Sequence, residues 1–143
     1  MILDERTEFA DALAVTASAI SDVIDLGAAP TLQDIGNGEQ LYLVVGVDTT
    51  VTAAGAATVT FSLESDSTAD LATSATVHAA TAAVPKATLV AGYVAWVIAL
   101  PQAAYERYLG VRFTVATGPL TAGKFNAFLT PNPAKWVALP DAI

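Results

Sequence analysis

Apolar and polar residues alternate with a period of two along residues 57–64. Ala57, Val59, Phe61 and Leu63 fall on one side, and Thr58, Thr60, Ser62 and Glu64 on the other. A helix, with about 3.6 residues per turn, would scatter both sets around its axis; a strand puts each set on one face. The same spacing recurs in Leu41, Leu43, Val45 and Val47, and in Leu109, Val111, Phe113 and Val115. It recurs again where Phe125, Ala127 and Leu129 alternate with Asn126, Phe128 and Thr130. The run over 57–64 is the cleanest, and it predicts an antiparallel sheet with one face buried and one in water. Shorter runs predict strands over 22–26, 75–80, 87–90 and 93–100. Turn-forming residues separate them, among them Gly27 to Pro30, Gly36-Asn37-Gly38, Ala91-Gly92, Pro101-Gln102 and Gly118-Pro119. About eight short strands with no alternating helices predict an all-β fold, a jelly-roll-like antiparallel β-sandwich.

The amino-terminal stretch admits two readings. Phe9, Leu13 and Ala17 recur at helical spacing behind Thr7 as a cap, whereas Phe9, Asp11, Leu13 and Val15 alternate as in an extended arm. Residues 1–18 are expected to form an N-terminal arm, and residues 19–143 a single jelly-roll domain. The prolines at 131 and 133 exclude a central strand there and predict an irregular tail.

Composition removes whole classes of chemistry. The chain has no cysteine and one histidine, so disulfides, thiolate nucleophiles and multi-histidine metal sites are absent. Its formal net charge of −8 opposes binding to phosphate backbones. The charge is uneven: residues 1–70 sum to −11 and residues 71–143 to +3. Such a bias either orients the subunit on a surface or averages out if the two halves interleave. The uncharged apolar run over 89–100 is 12 residues, short of the ~20 that a helical membrane span needs. Ala, Thr and Val make up 62 of the 143 residues, and charged residues only 14%. So little charge implies that part of the surface is meant to be covered by a partner.

No catalytic constellation stands out. His78 would have to serve any Ser-His-Asp set, yet it lies in an apparent strand and no Gly-x-Ser-x-Gly elbow exists. Asp66-Ser67-Thr68-Ala69-Asp70 lacks the spacing of a calcium loop and reads as a solvated turn. The expectation is a protein that is not an enzyme and takes no metal or cofactor. The interface candidates are Ile2, Leu3 and Phe9, apolar residues odd on a frayed terminus, and Trp136 in the proline-rich tail. Trp136 either anchors the tail on its own domain or serves as a hot spot for a neighbour.

One ordered set of segments resembles a known family. It comprises Met1-Ile2-Leu3-Asp4, Phe9-Ala10-Asp11-Ala12, Val23-Ile24-Asp25-Leu26-Gly27 and Gly38-Glu39-Gln40-Leu41-Tyr42-Leu43. It continues through Ser62-Leu63-Glu64-Ser65, Leu100-Pro101, Tyr108-Leu109-Gly110-Val111 and Leu120-Thr121-Ala122-Gly123-Lys124-Phe125-Asn126-Ala127. Together they resemble the capsid cement (decoration) proteins of tailed bacteriophages, of the Bordetella podovirus type. The Ala/Thr-rich residues 69–84 depart from that pattern. The resemblance implies a jelly roll on the capsid exterior of the virion, made in the host cytoplasm. It implies that the protein clamps neighbouring major capsid proteins and stabilises the shell against packaged DNA. The implied partners are the major capsid protein and further copies of itself, as a homodimer or a trimer, with no nucleic acid and no membrane. Deleting residues 1–11 is then expected to leave the domain folded and weaken capsid binding. The alternative is a carbohydrate- or receptor-binding jelly roll of a phage fibre or tail, with Tyr42, Tyr93, Tyr105 and Tyr108 as its aromatic candidates.

Overall fold

The structure, a computed structural model, describes residues 3–35 and 38–133. It is an all-β sandwich. A 3₁₀ turn over Glu5–Thr7, capped by the Asp4 carboxylate, leads into β1 (Glu8–Ala14). Then follow β2 (Ala19–Ile20), β3 (Ile24–Asp25), β4 (Tyr42–Thr52) and β5 (Thr58–Asp66). The chain goes on through β6 (Thr76–Ala80), β7 (Val84–Pro85), β8 (Val94–Ala99), β9 (Tyr108–Ala116) and β10 (Ala122–Thr130).

One sheet has the order β1-β10-β4-β8 and the other the order β2-β9-β5-β6, with β3 also on β9 and β7 also on β5. All pairs are antiparallel. Two of the strands are interrupted. Between β2 and β3 the Ser21 N–H still reaches Val111 O, at 2.9 Å. Between β6 and β7 the Thr81 N–H reaches Phe61 O, at 2.9 Å. Counting each interrupted strand once gives eight, and every connection except that from β5 to β6 crosses between the sheets. That is the connectivity of a jelly roll.

The alternation seen in sequence builds the core. Val59, Phe61 and Leu63 of β5 and Leu109, Val111 and Phe113 of β9 are fully buried, and so are Leu43 and Val45 of β4 and Phe125 and Ala127 of β10. Three rings tie the two sheets together: Phe61 lies 5.7 Å from Phe113 and 5.5 Å from Phe125, both edge-on, and Phe113 lies 5.3 Å from Phe125. Edge-on contacts of this kind add to the stabilisation from burial.

One expectation is corrected here, and one open choice is resolved. Residues 87–90 form a turn rather than a strand: Thr88 N–H bonds to Pro85 O, and Leu89 dips fully into the core. Residues 8–14 are built into the four-stranded sheet as its edge strand β1, so extended structure prevails over helix. β1 covers one side of β10, with register shifts on either side of Ala10. Ala12 takes a positive φ of 47°, and its N–H bonds to Asn126 Oδ1 at 2.6 Å. A helix here would leave that side of β10 unpaired.

The charge bias does not separate into two lobes. Each sheet mixes strands from both halves of the chain. The ion pairs Asp25–Arg107 and Glu64–Arg112 each join an early acid to a late base, at 2.8 Å.

Candidate functional site

The two sheets treat their outer faces differently. On the six-stranded sheet, Ser62 and Glu64 were expected in water, but both are buried. Arg112, beside them on β9, donates from Nε to Glu64 Oε2 at 2.8 Å and from Nη2 to Leu71 O at 2.6 Å. Ser62 Oγ donates to the other carboxylate oxygen at 2.7 Å. The loop after β5 thus folds back across the sheet, and Leu71 is buried over Gly110. Asp66 holds the loop's base, accepting N–H bonds from Thr68 at 3.3 Å and Ser74 at 3.4 Å. Burial pushes its carboxyl up, but these bonds outweigh that and hold it below the usual carboxylate range. Of the segment read as a solvated turn, Ser67 to Asp70 are exposed in a turn as expected, while Asp66 is buried and anchors the loop.

His78 is also taken up internally. Its Nε2 lies 2.7 Å from Ser65 Oγ, which also accepts the Glu106 N–H at 3.0 Å. Its ring packs edge-on against Tyr105 at 4.5 Å. Partial burial pulls the imidazole below its ordinary pKa, against the opposing charge of Glu106. Ser65 is fully buried, so its hydroxyl faces no outside molecule in this fold. Tyr105 donates its hydroxyl to Pro101 O, and burial pushes its pKa up to about 12. At the sheet's other edge Arg107 grips Asp25 with two bonds, 2.9 and 2.8 Å long. Those bonds, helped by the Gly27 N–H, hold the Asp25 carboxyl down to about 2.

The outer face of the four-stranded sheet is different. A groove of about 360 Å³ opens there, lined among others by Val44, Gly46, Tyr93, Val94, Asn126 and Phe128. Tyr93 and Val94 are each 40% exposed, Val97 46% and Val90 47%. Asp48 at the groove's lip is its charged residue. The sequence carried a signal for this face. Leu43-Val44-Val45-Gly46-Val47 is apolar on both sides of the strand, with a glycine in the middle, unlike the clean alternation of 57–64.

The proposed interface residues are dispersed. Phe9, in β1, is fully buried in the core, so a partner would meet its side chain only if β1 came away. Leu3 is half-buried and lines a small apolar hollow with Leu41 and Leu129. Ile2 and Trp136 lie outside the described residues. The four tyrosines are dispersed: Tyr105 is buried, Tyr42 lies in β4 and Tyr93 borders the same four-stranded sheet, and Tyr108 belongs to the six-stranded one.

Fold and surface together define a jelly-roll module whose six-stranded sheet is partly covered by its own loop and whose four-stranded sheet exposes the apolar side chains of Val94 and Val97 along β8. The sequence model of the Bbp16 family matches residues 9–129. The chain belongs to that family, the family of the Bordetella phage BPP-1 cement protein. Membership makes it a phage capsid cement protein, associated with the virion and with the capsid as its binding partner. A comparison with curated proteins finds no match.

Proposed function

We propose that this protein coats the outside of the phage head and bridges neighbouring major capsid proteins. It thereby holds the shell against the outward push of packaged DNA. The observation that carries this reading is the family match over residues 9–129, which spans the whole sandwich from β1 to β10. The exposed Tyr93, Val94 and Val97 support it, because apolar side chains grouped at a surface favour cover by a partner. A bridge between two subunits must release at both ends before they part. Each contact can then be weak, since the shell holds the second end at high effective concentration. The protein acts as a homo-oligomer, most simply a dimer, which doubles the contacts per bridge. Leu3, and with it Ile2 and Trp136, belong to the capsid or subunit contact, while Phe9 serves it indirectly by holding β1 in place. The test is cosedimentation with undecorated heads, followed by heating. Bound protein that raises the temperature of shell rupture supports the reading. Failure to bind, or binding without any gain in shell stability, refutes it.

A further inference from the structure

The four-stranded sheet ends on β8, and the ladder between β4 and β8 shows which backbone groups face outward at that edge. Leu100 N–H donates to Leu41 O at 2.8 Å. The register runs Tyr42↔Ala99, Leu43↔Ile98, Val44↔Val97 and Val45↔Trp96, so residues 41 and 100 are a hydrogen-bonded pair. Bonded and non-bonded pairs alternate along an antiparallel ladder. Leu43–Ile98 and Val45–Trp96 are therefore bonded pairs, and Val97 and Ala99 occupy non-bonded positions. The N–H and C=O groups of Val97 and Ala99 thus point away from β4, across the edge of the sheet. Both residues are exposed, Val97 by 46%. Trp96 and Ile98 turn inward and pack half-buried against the core. A bulge at Ala95, between Val94 and Trp96, confines the regular edge to residues 96–99.

We propose that an extended segment of the major capsid protein adds to the edge of β8 as a fifth strand of this sheet, with a basic residue facing Asp48. The main chain of Val97 and Ala99 holds the segment, and the exposed side chains of Val94 and Val97 flank it. The added strand also completes the cover of Trp96 and Ile98. Charge decides between partners. β8 carries no charged residue, and Asp48 is exposed beside its start, around the same hollow as Tyr93 and Val94. A second copy brings a further −8 to this edge, whereas a basic segment meets attraction. This inference rests on the cement reading and names the edge and the mode of contact that the reading leaves open.

The test is hydrogen exchange on the full chain, free and bound to undecorated heads. The amides of Val97 and Ala99 should exchange fast in the free protein and become protected on the shell, while those of Trp96 and Ile98, bonded to β4, change little. Val97→Pro removes an outward donor without touching a bond to β4, and should lower affinity for heads at least about tenfold. Val97→Thr keeps the backbone and the branched shape, and should bind within about threefold of the wild type. Binding with unchanged exchange at Val97 and Ala99 overturns the inference and leaves the cement reading standing, whether or not Val97→Pro folds. Equal losses in the two variants, or none in either, overturn it as well, since the outward backbone groups then carry no contact. Protection in the free protein that grows with concentration assigns the edge to a second copy, and protection lost on deleting residues 134–143 assigns it to the chain's own tail; either result overturns the inference. A wild type that does not bind heads at all removes the cement reading and this inference together.

Discussion

Replacing Phe9 with alanine separates an arm from a strand. Phe9 is fully buried, and β1 is fastened on both sides. It pairs with β10 along Glu8–Ala14, and the Phe9 carbonyl accepts the Asp22 N–H at 2.9 Å. Truncating a buried phenylalanine costs about 3–5 kcal/mol. Because β1 is an edge strand and can partly close the gap, the lower end, about 3 kcal/mol, is expected. A domain of this size has roughly 5–15 kcal/mol in total, so the loss is a large share of it. With a urea slope of about 1.5 kcal/mol per molar, the unfolding midpoint should fall by about 2 M. The control is deletion of residues 1–7, which takes away a 3₁₀ turn with no buried residue and should cost under about 1 kcal/mol. Urea titration followed by circular dichroism reads both. A midpoint shift below about 0.5 M for Phe9→Ala would mean that β1 is detached in solution, and the assignment of residues 8–14 to the sheet would fail. The deletion of residues 1–11 expected from sequence to spare the fold should instead destabilise it, because it removes Phe9 and half of β1.

Two further outcomes follow from the self-covered sheet. His78 is pulled below its ordinary pKa by burial, so the folded state binds its proton less readily than the unfolded chain does. Its contribution is complete above about pH 6.5 and is lost as pH falls through the folded value; thermal melts from pH 7 to 5 should show this loss, and His78→Gln should flatten it. Gly110→Ala drives a methyl against Leu71 and should cost about 1–3 kcal/mol. In a Leu71→Ala background most of that penalty should vanish, a coupling of about 1 kcal/mol in a double-mutant cycle; strict additivity would show that Leu71 does not lie over Gly110.

The core was legible in sequence because it follows from local alternation. Phe61, Phe113 and Phe125 each sit on the apolar side of a period-two run, and each is buried as that pattern predicts. The outer faces were not legible, because what covers them comes from elsewhere in the chain. Glu64 occupies a polar position of the cleanest run, and only the return of Leu71 and the reach of Arg112 bury it. The burial of Phe9 was hidden for a related reason: it depends on β10, more than a hundred residues later in the chain. Residues 87–90 have strand-like composition, but Leu89 alone turns inward there, and a turn places it. Gly46 carried a real signal, a glycine within an apolar strand. Its surroundings needed the structure, since its Cβ position meets Tyr93 O at 4.0 Å whereas that of Gly110 meets the Leu71 side chain.

The contrast between the two faces also bears on how a sticky protein stays dispersed. Covering the six-stranded sheet required burying a carboxylate under a loop, and the acids brought there are matched: Glu64 by Arg112 and Ser62, and Asp66 by backbone N–H groups. An isolated buried charge would be strongly destabilising, so the cover is stable only as a complete set. The four-stranded sheet exposes Val94 and Val97 along one edge. It also ends on β8, Val94–Ala99, an edge strand without a single charge. Edges of this kind invite pairing with other chains, and natural proteins usually blunt them with lysine or proline. Here the opposing force is the net charge of −8, which repels identical copies. That repulsion is screened beyond about 8 Å at physiological salt, so it slows encounters between like copies without preventing close contact. A partner that brings basic groups to Asp48 meets attraction instead of repulsion and reaches the same apolar face at lower cost. At this patch the acidic surface therefore favours a basic, apolar partner over a second copy, so the proposed homo-oligomer joins through another surface.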